Sequence, residues 1–114
     1  MNVNSRIVDD ILVVRLQGEI DHHAVEQIRN DIEARLEDIQ YRALVLCFGD
    51  IQFMDSSGLG LILWRYRSVF SKGGKMVLCE VTNPLKKLFD MSGLLKILPV
   101  YESEMSAVKA VKGA

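Results

Sequence analysis

A short segment at residues 55–60 carries side chains that could do chemistry. It holds a carboxylate, two adjacent hydroxyls and two glycines, which are Asp55, Ser56, Ser57, Gly58 and Gly60. Asp55 and Ser56 are both good N-cap residues, because their side-chain oxygens can accept hydrogen bonds from the free N–H groups that open a helix. Glycine costs a helix roughly 1 kcal/mol relative to alanine. Two glycines in a first turn therefore indicate that a partner comes close to this backbone.

Serine hydrolysis is one interpretation of this segment. A nucleophilic serine needs a base within hydrogen-bond reach and a group that orients the base. His22 and His23 are the only histidines of the chain, and they lie at the predicted start of the first helix. Position 54 is methionine, so the segment departs from the Gly-x-Ser-x-Gly elbow of hydrolases. The sequence therefore disfavours an enzyme, and no catalytic residue is predicted.

Nucleotide binding is a second interpretation, and the segment lacks its motifs. The chain has no Gly-x-x-x-x-Gly-Lys-Ser/Thr loop. Gly58 and Gly60 have the first spacing of a dinucleotide fingerprint but lack its third glycine and its later acidic residue. Loose anion binding stays an alternative, because helix N-termini attract phosphate. No cofactor is predicted.

A serine that receives a phosphate is the third interpretation. A phosphoserine adds about −1.5 to −2 charges at neutral pH. A helix N-terminus stabilises that charge by roughly 0.3–1 kcal/mol. Repulsion from the neighbouring Asp55 is unfavourable by a similar amount. The modification would therefore leave the fold nearly intact and act on whatever docks at the turn. An equally open alternative is that Ser56 and Ser57 are only capping residues, and the two hydroxyls are nearly equivalent as phosphate acceptors in these physical terms.

The composition of the 114-residue chain indicates one globular domain, residues 1–114, with 49% hydrophobic and 25% charged residues. Its formal net charge of −1 argues against binding to nucleic acid or to anionic membranes, which needs a basic field. No apolar run reaches the roughly 18 residues of a membrane span. The first six residues lack the apolar core of a signal peptide. We therefore expect a cytoplasmic protein.

The elements that position the segment follow from the pattern of apolar residues. Residues 3–8 and 11–16 predict two strands of a hairpin, and Gly18 is expected to end the second strand. Asp21 is the predicted N-cap of an amphipathic first helix. The continuous apolar run at residues 43–48 is typical of a strand that is covered on both faces.

The second half of the chain alternates helices and strands. A second helix is predicted from near Ser56 to about Lys72, followed by a strand at residues 76–81. Thr82 is expected to begin a third helix, residues 97–101 form a short edge strand, and Ser103 caps a last helix. This order predicts an α/β domain, in which an N-terminal hairpin leads into a mixed, largely parallel sheet with about four helices. Residues 55–60 follow the carboxyl end of a strand, where sites on such sheets are favoured.

Two features concern burial. On the second helix, Leu61 and Trp64 lie off the apolar stripe and are expected to be partly exposed, whereas Phe70 lies on the stripe. Cys47 and Cys79 each lie inside an apolar strand, and their spacing matches no metal site. We expect inert, reduced thiols in the core and no metal ion.

Residues 55–60, Asp-Ser-Ser-Gly-Leu-Gly, resemble the phosphorylation motif of bacterial anti-sigma-factor antagonists, the STAS domain family. The similarity covers almost the whole chain and includes residues 16–23, Leu-Gln-Gly-Glu-Ile-Asp-His-His, and residues 88–94, Leu-Phe-Asp-Met-Ser-Gly-Leu. Residues 18–23 and 53–57 are similar to the sporulation members, which control sigma-F in spore-forming relatives of Bacillus. The resemblance implies a STAS-type fold over the single domain.

The resemblance also implies a regulatory cycle. The unphosphorylated protein binds an anti-sigma factor that is also a serine kinase, and so frees the sigma factor. The kinase phosphorylates the first serine of the motif, here Ser56 and not Ser57, and a serine phosphatase restores the active form. Asp21 matches a family position near the kinase-binding surface. The expected partner-binding residues are Asp21, Asp55, Ser56, Ser57, Gly58, Leu59 and Gly60. The alternatives are a STAS module of another signalling or transporter system and a weak nucleotide-binding protein.

Overall fold

The computed structural model describes residues 2–112, which form five strands, four α-helices and one short 3-10 helix. The strands are β1 (Asn2–Val8), β2 (Ile11–Ile20), β3 (Ala43–Met54), β4 (Lys75–Cys79) and β5 (Val100–Tyr101). The helices are α1 (Val25–Leu36), α2 (Ser57–Ser71), α3 (Asn83–Met91) and α4 (Glu104–Lys112), and the 3-10 helix is Leu94–Lys96. None of these helices has the length and apolarity that crossing a membrane requires.

The strands form one sheet in the order β1-β2-β3-β4-β5. β1 is antiparallel to β2, and the other three pairings are parallel. The predicted mixed, largely parallel sheet with an N-terminal hairpin and four helices is thus confirmed. A helix lies between each pair of successive parallel strands, as crossover connections require.

Both faces of the sheet are covered, and the alternation of side chains along each strand divides the core in two. On one face, β2 and β3 pack against α1, α2 and α3, with Phe48 and Phe89 in edge-to-face contact at a centroid distance of 5.6 Å. On the other face, Val13 and Val45 pack against Ala107 and Val111 of α4. This double coverage explains the unbroken apolar run that begins β3.

β2 and β3 are longer than the sequence predicts. β2 does not end at Gly18 but continues to Ile20, and β3 continues past Phe48 to Met54. A register shift between Gly18 and Glu19 absorbs the backbone of Gly18, whose φ of 112° would end a regular strand. The pairing with β4 ends at Cys47, so the last part of β3 is paired with β2.

The buried face of α2 also differs from the prediction. Leu61 is buried, whereas Phe70 is 66% exposed. The buried stripe runs through Arg65, whose guanidinium donates a hydrogen bond to the Tyr41 hydroxyl at 2.9 Å. The apolar pattern alone does not indicate a buried arginine, so the predicted stripe is displaced from the observed one. Trp64 is half-buried beneath Arg29, as its off-stripe position predicts.

The buried Phe89 and the exposed Phe70 give a direct test of the packing. Phe89→Ala is expected to lower the free energy of unfolding by about 3–5 kcal/mol, because it empties a fully buried site against Phe48. Phe70→Ala is expected to change it by less than about 1 kcal/mol. Urea unfolding followed by circular dichroism measures both, and equal losses would contradict the orientation of α2.

Candidate functional site

The carboxyl ends of β2 and β3 meet at one edge of the sheet and join two loops there. The backbone N–H of Asp55 donates to the carbonyl of Ile20 at 3.2 Å. The Oδ2 atom of Asp55 accepts a hydrogen bond from the backbone N–H of His22, also at 3.2 Å. The turn that opens α2 and the loop that leads to α1 are therefore held side by side.

Asp55, and not Ser56, caps α2 with its side chain. Asp55 Oδ1 accepts a hydrogen bond from the backbone N–H of Ser57 at 2.9 Å. Ser56 occupies the N-cap position, but its hydroxyl makes no capping hydrogen bond within the described chain. Ser56 is exposed and Ser57 is half-buried. The structure thus gives different surroundings to two hydroxyls that physical arguments from the sequence left equivalent, and Ser56 is the one that faces solvent.

The carboxylate of Asp55 is a fixed negative charge beside Ser56. The side chain of Ser57 holds the pKa of Asp55 below its ordinary value, and the backbone N–H groups of Ser57 and His22 act in the same direction. Asp55 is therefore ionised at neutral pH. A phosphate on Ser56 would lie next to this carboxylate and be repelled by it.

Asp21 shapes the neighbouring loop. Its Oδ1 atom accepts hydrogen bonds from the backbone N–H groups of His23 at 3.0 Å and Ala24 at 2.9 Å. These bonds stabilise a turn that precedes α1, whose N-cap is Ala24 and not Asp21 as predicted. Because His22 bonds to Asp55, the structure brings Asp21 and residues 55–60 to the same edge.

The surroundings of the two glycines of the turn differ, so the presence of glycine has a different physical reason at each position. A Cβ atom on Gly58 would lie 2.6 Å from Cγ and 2.7 Å from Sδ of Met54, which is itself buried. Gly58 therefore lets α2 begin directly on the end of β3, and no partner is needed to explain it. A Cβ atom on Gly60 would meet nothing within 4 Å. Only Gly60 leaves backbone open for a close approach, while Leu59 packs against the core.

Phe53 is a surface feature that the sequence analysis did not identify. Its ring is 51% exposed on the last part of β3, two positions before Asp55. Alternation along the strand places it opposite the buried Met54, so the signal was available in the sequence. An exposed aromatic side chain beside the turn adds an apolar contact to a polar edge.

The histidines do not assemble a catalytic site with the serines. His22 Nδ1 lies 3.7 Å from Asp55 Oδ2, and the rings of His22 and His23 stack at 3.8 Å. Among the hydrogen bonds of residues 2–112, neither histidine is paired with the hydroxyl of Ser56 or Ser57. The nucleophile–base pair that a serine hydrolase needs is thus not formed.

Comparison with known proteins agrees with the fold. A family model described as the STAS domain matches residues 2–107. An anti-sigma F factor antagonist of Paenibacillus polymyxa is 46% identical over 98 residues, which cover 86% of this chain and 84% of that protein. The structure of the anti-sigma factor antagonist SpoIIAA in its unphosphorylated form is 34% identical, with a TM-score of 0.81 over 99% of this chain and 98% of that chain. The structure of the Bacillus cell fate determinant SpoIIAA in the phosphorylated form is also 34% identical, with a TM-score of 0.71 over 96% and 99%.

Replacing each glycine by alanine separates their roles. Gly60→Ala is expected to raise the free energy of unfolding by about 0.5–1 kcal/mol, because it restricts the unfolded chain and meets no obstacle. Gly58→Ala is expected to lower it by about 1 kcal/mol, because crowding against Met54 exceeds the gain in helix propensity. Urea unfolding measures both changes, and stabilisation by Gly58→Ala would refute the packing argument.

The hydrogen bonds to Asp55 predict a pH dependence. Its folded-state pKa lies below the unfolded value of about 3.9, so its stabilising effect is present above that value and is lost as the pH falls through the folded pKa. The Ser57 side chain is the largest influence that lowers this pKa, and the backbone N–H groups of Ser57 and His22 act in the same direction. Ser57→Ala is therefore expected to raise the pKa of Asp55 part of the way towards its ordinary value, since the backbone hydrogen bonds remain, whereas Ser56→Ala leaves it unchanged. Carbon-13 NMR titration of the carboxyl group measures the pKa in each variant. An equal response to both substitutions would be inconsistent with this geometry.

Proposed function

The chain belongs to the STAS domain family of anti-sigma factor antagonists, and from this premise we propose that it binds an anti-sigma factor that is also a serine kinase. Binding takes place at the edge that carries Asp21 and residues 55–60, and it frees the sigma factor. We propose sigma-F as that factor, because the relative from Paenibacillus polymyxa is an anti-sigma F factor antagonist. The chain acts as a binding module in the cytoplasm and not as an enzyme.

The exposed hydroxyl of Ser56 is the observation that carries this proposal. It lies at the N-terminus of α2 without a capping role, because Asp55 supplies the side-chain cap. Ser56 Oγ attacks the γ-phosphorus of ATP held by the kinase, the bond to ADP breaks, and a base of the kinase takes the hydroxyl proton. A serine phosphatase later hydrolyses the ester and restores the hydroxyl. The similarity to SpoIIAA, whose structures include both an unphosphorylated and a phosphorylated form, supports this cycle.

The phosphate acts on docking and leaves folding almost unchanged. The N-terminus of α2 favours the added charge, and Asp55 opposes it. A partner surface that fits a neutral hydroxyl must instead desolvate a charge of about −1.5 to −2 next to an ionised carboxylate. A tenfold loss of affinity needs only about 1.4 kcal/mol, so one phosphate is sufficient for a switch.

The rest of the edge supplies contact surface. Gly60 leaves the first turn of α2 open, which allows partner atoms to approach the backbone. Phe53 presents an exposed ring next to this turn, and aromatic side chains are enriched among the residues that carry binding energy at protein interfaces. We propose these two residues as part of the docking surface.

Substitution of the two serines tests the site of phosphorylation. With the cognate kinase and ATP, the wild type and Ser57→Ala are expected to incorporate one phosphate, whereas Ser56→Ala incorporates none. Peptide mass spectrometry locates the phosphate. Full phosphorylation of Ser56→Ala would refute the proposed acceptor.

Binding measurements test the switch itself. Phosphorylated protein and Ser56→Asp are expected to bind the kinase at least tenfold more weakly than the wild type, with unchanged circular dichroism spectra. Gly60→Ala separates docking from stability, since the variant is expected to bind the kinase more weakly although its free energy of unfolding is expected to be higher. Undiminished affinity of the phosphorylated protein, or gross unfolding of it, would contradict a local switch.

A further inference from the structure

Two thiols lie in contact under α4, away from the docking edge. Cys47 and Cys79 are the only cysteines of the chain, and they are in-register neighbours on the parallel strands β3 and β4. Their Sγ atoms are 2.7 Å apart, and both side chains have no exposed surface. Nothing in the proposed docking function uses this pair.

The geometry favours a sulfur–sulfur bond over a metal site. Ligand atoms of Cys47, Cys79 and Glu80 lie within 4.8 Å of one another. Two thiolates on one zinc ion, however, lie about 3.7 Å apart when each Zn–S bond is about 2.3 Å. The carboxylate of Glu80 is already bound by the guanidinium of Arg15 at 2.5 Å. The sulfurs are therefore closer than one metal would hold them, and the third ligand is occupied.

We propose that Cys47 and Cys79 form a modification site, a reversible intramolecular disulfide that closes when the chain meets a low-molecular-weight disulfide such as oxidised glutathione. Neighbouring strands lie about 4.7–4.9 Å apart, which falls within the Cα separation of about 4.4–6.8 Å that disulfides adopt. The spacing of the paired strands β3 and β4 is therefore compatible with the bond.

The chemistry is a thiol–disulfide exchange in two steps. One cysteine loses its proton, and its thiolate attacks a sulfur of the small disulfide, which releases one small thiolate. The second cysteine loses its proton and attacks the cysteine sulfur of the mixed disulfide, which releases the other small thiolate. The pair is oxidised by two electrons, the small disulfide is reduced to two thiols, and the two protons pass to the thiols released.

α4 controls access to the pair. Ala107 and Val111 of α4 belong to the same buried cluster as the two cysteines. Glu104 at the start of this helix is paired with Arg15 and with Arg6. Contact with Cys79, followed by burial, raises the pKa of the Cys47 thiol, so few thiolates form while the helix is docked. Closure therefore proceeds when α4 lifts or while the chain folds.

Refolding in glutathione buffers tests the proposal with the full chain. In metal-free buffer with excess oxidised glutathione, the wild type is expected to lose two hydrogen atoms in mass, to retain no free thiol and to gain about 5–15 °C in Tm. Cys47→Ala and Cys79→Ala are the matched controls, in which neither an internal bond nor the gain in Tm is possible. Two free thiols, or a glutathione on each cysteine, in the refolded wild type would overturn the proposal.

Two further measurements test whether the thiols bind a metal ion instead and whether α4 limits access to them. A chain that binds zinc through both thiolates but forms no disulfide in metal-free buffer would overturn the proposal in favour of a metal site. In the native state, Glu104→Gln is expected to form the disulfide several times faster than the wild type, because it weakens the pairing with Arg15. An unchanged rate would overturn the part assigned to α4.

Discussion

Parallel pairing of β2 with β3 holds the turn at Asp55, and the positions of the other site residues depend on it. The pairing runs from Ile11 opposite Ala43 to Ile20 opposite Met54. The hydrogen bond from the backbone N–H of Asp55 to Ile20 extends it by one residue. Because both strands end at this level, the loop before α1 and the turn before α2 emerge together. The site is thus a consequence of strand register.

Within this turn, structural and accessible residues are different ones. Asp55 caps α2, and Gly58 provides the room that Met54 requires. Ser56 and Gly60 carry out neither task, since one hydroxyl makes no capping bond in the described chain and the other position is open to its surroundings. A change at either position therefore costs the fold little. This separation is what a surface controlled by one modification requires.

The class of fold could be predicted from the sequence because it depends on periodicity, and the turn that opens α2 could be predicted because its residues form a local pattern. The end of β2 could not, since the bulge at Gly18 forms only against a paired β3. The predicted orientation of α2 was wrong because Arg65 is buried. Its guanidinium donates a hydrogen bond to Tyr41, a partner that is distant in sequence. The different surroundings of the two serines likewise could not be predicted from the residues alone, since they depend on how the turn folds: Ser56 is exposed, whereas Ser57 is half-buried with its backbone N–H on Asp55.

Cys47 of the thiol pair lies on β3, the strand that leads into the docking edge at residues 55–60, but in a part of the strand that is supported differently. At Cys47, β3 is paired on both sides, with Arg15 of β2 and Cys79 of β4. Beyond that point it is paired with β2 up to Met54. A cross-link at Cys47 therefore strengthens the part of β3 that is already held most firmly and leaves the docking edge unchanged. Under the two proposals, oxidation would alter stability and leave docking unchanged, whereas a phosphate on Ser56 would alter docking and leave stability almost unchanged.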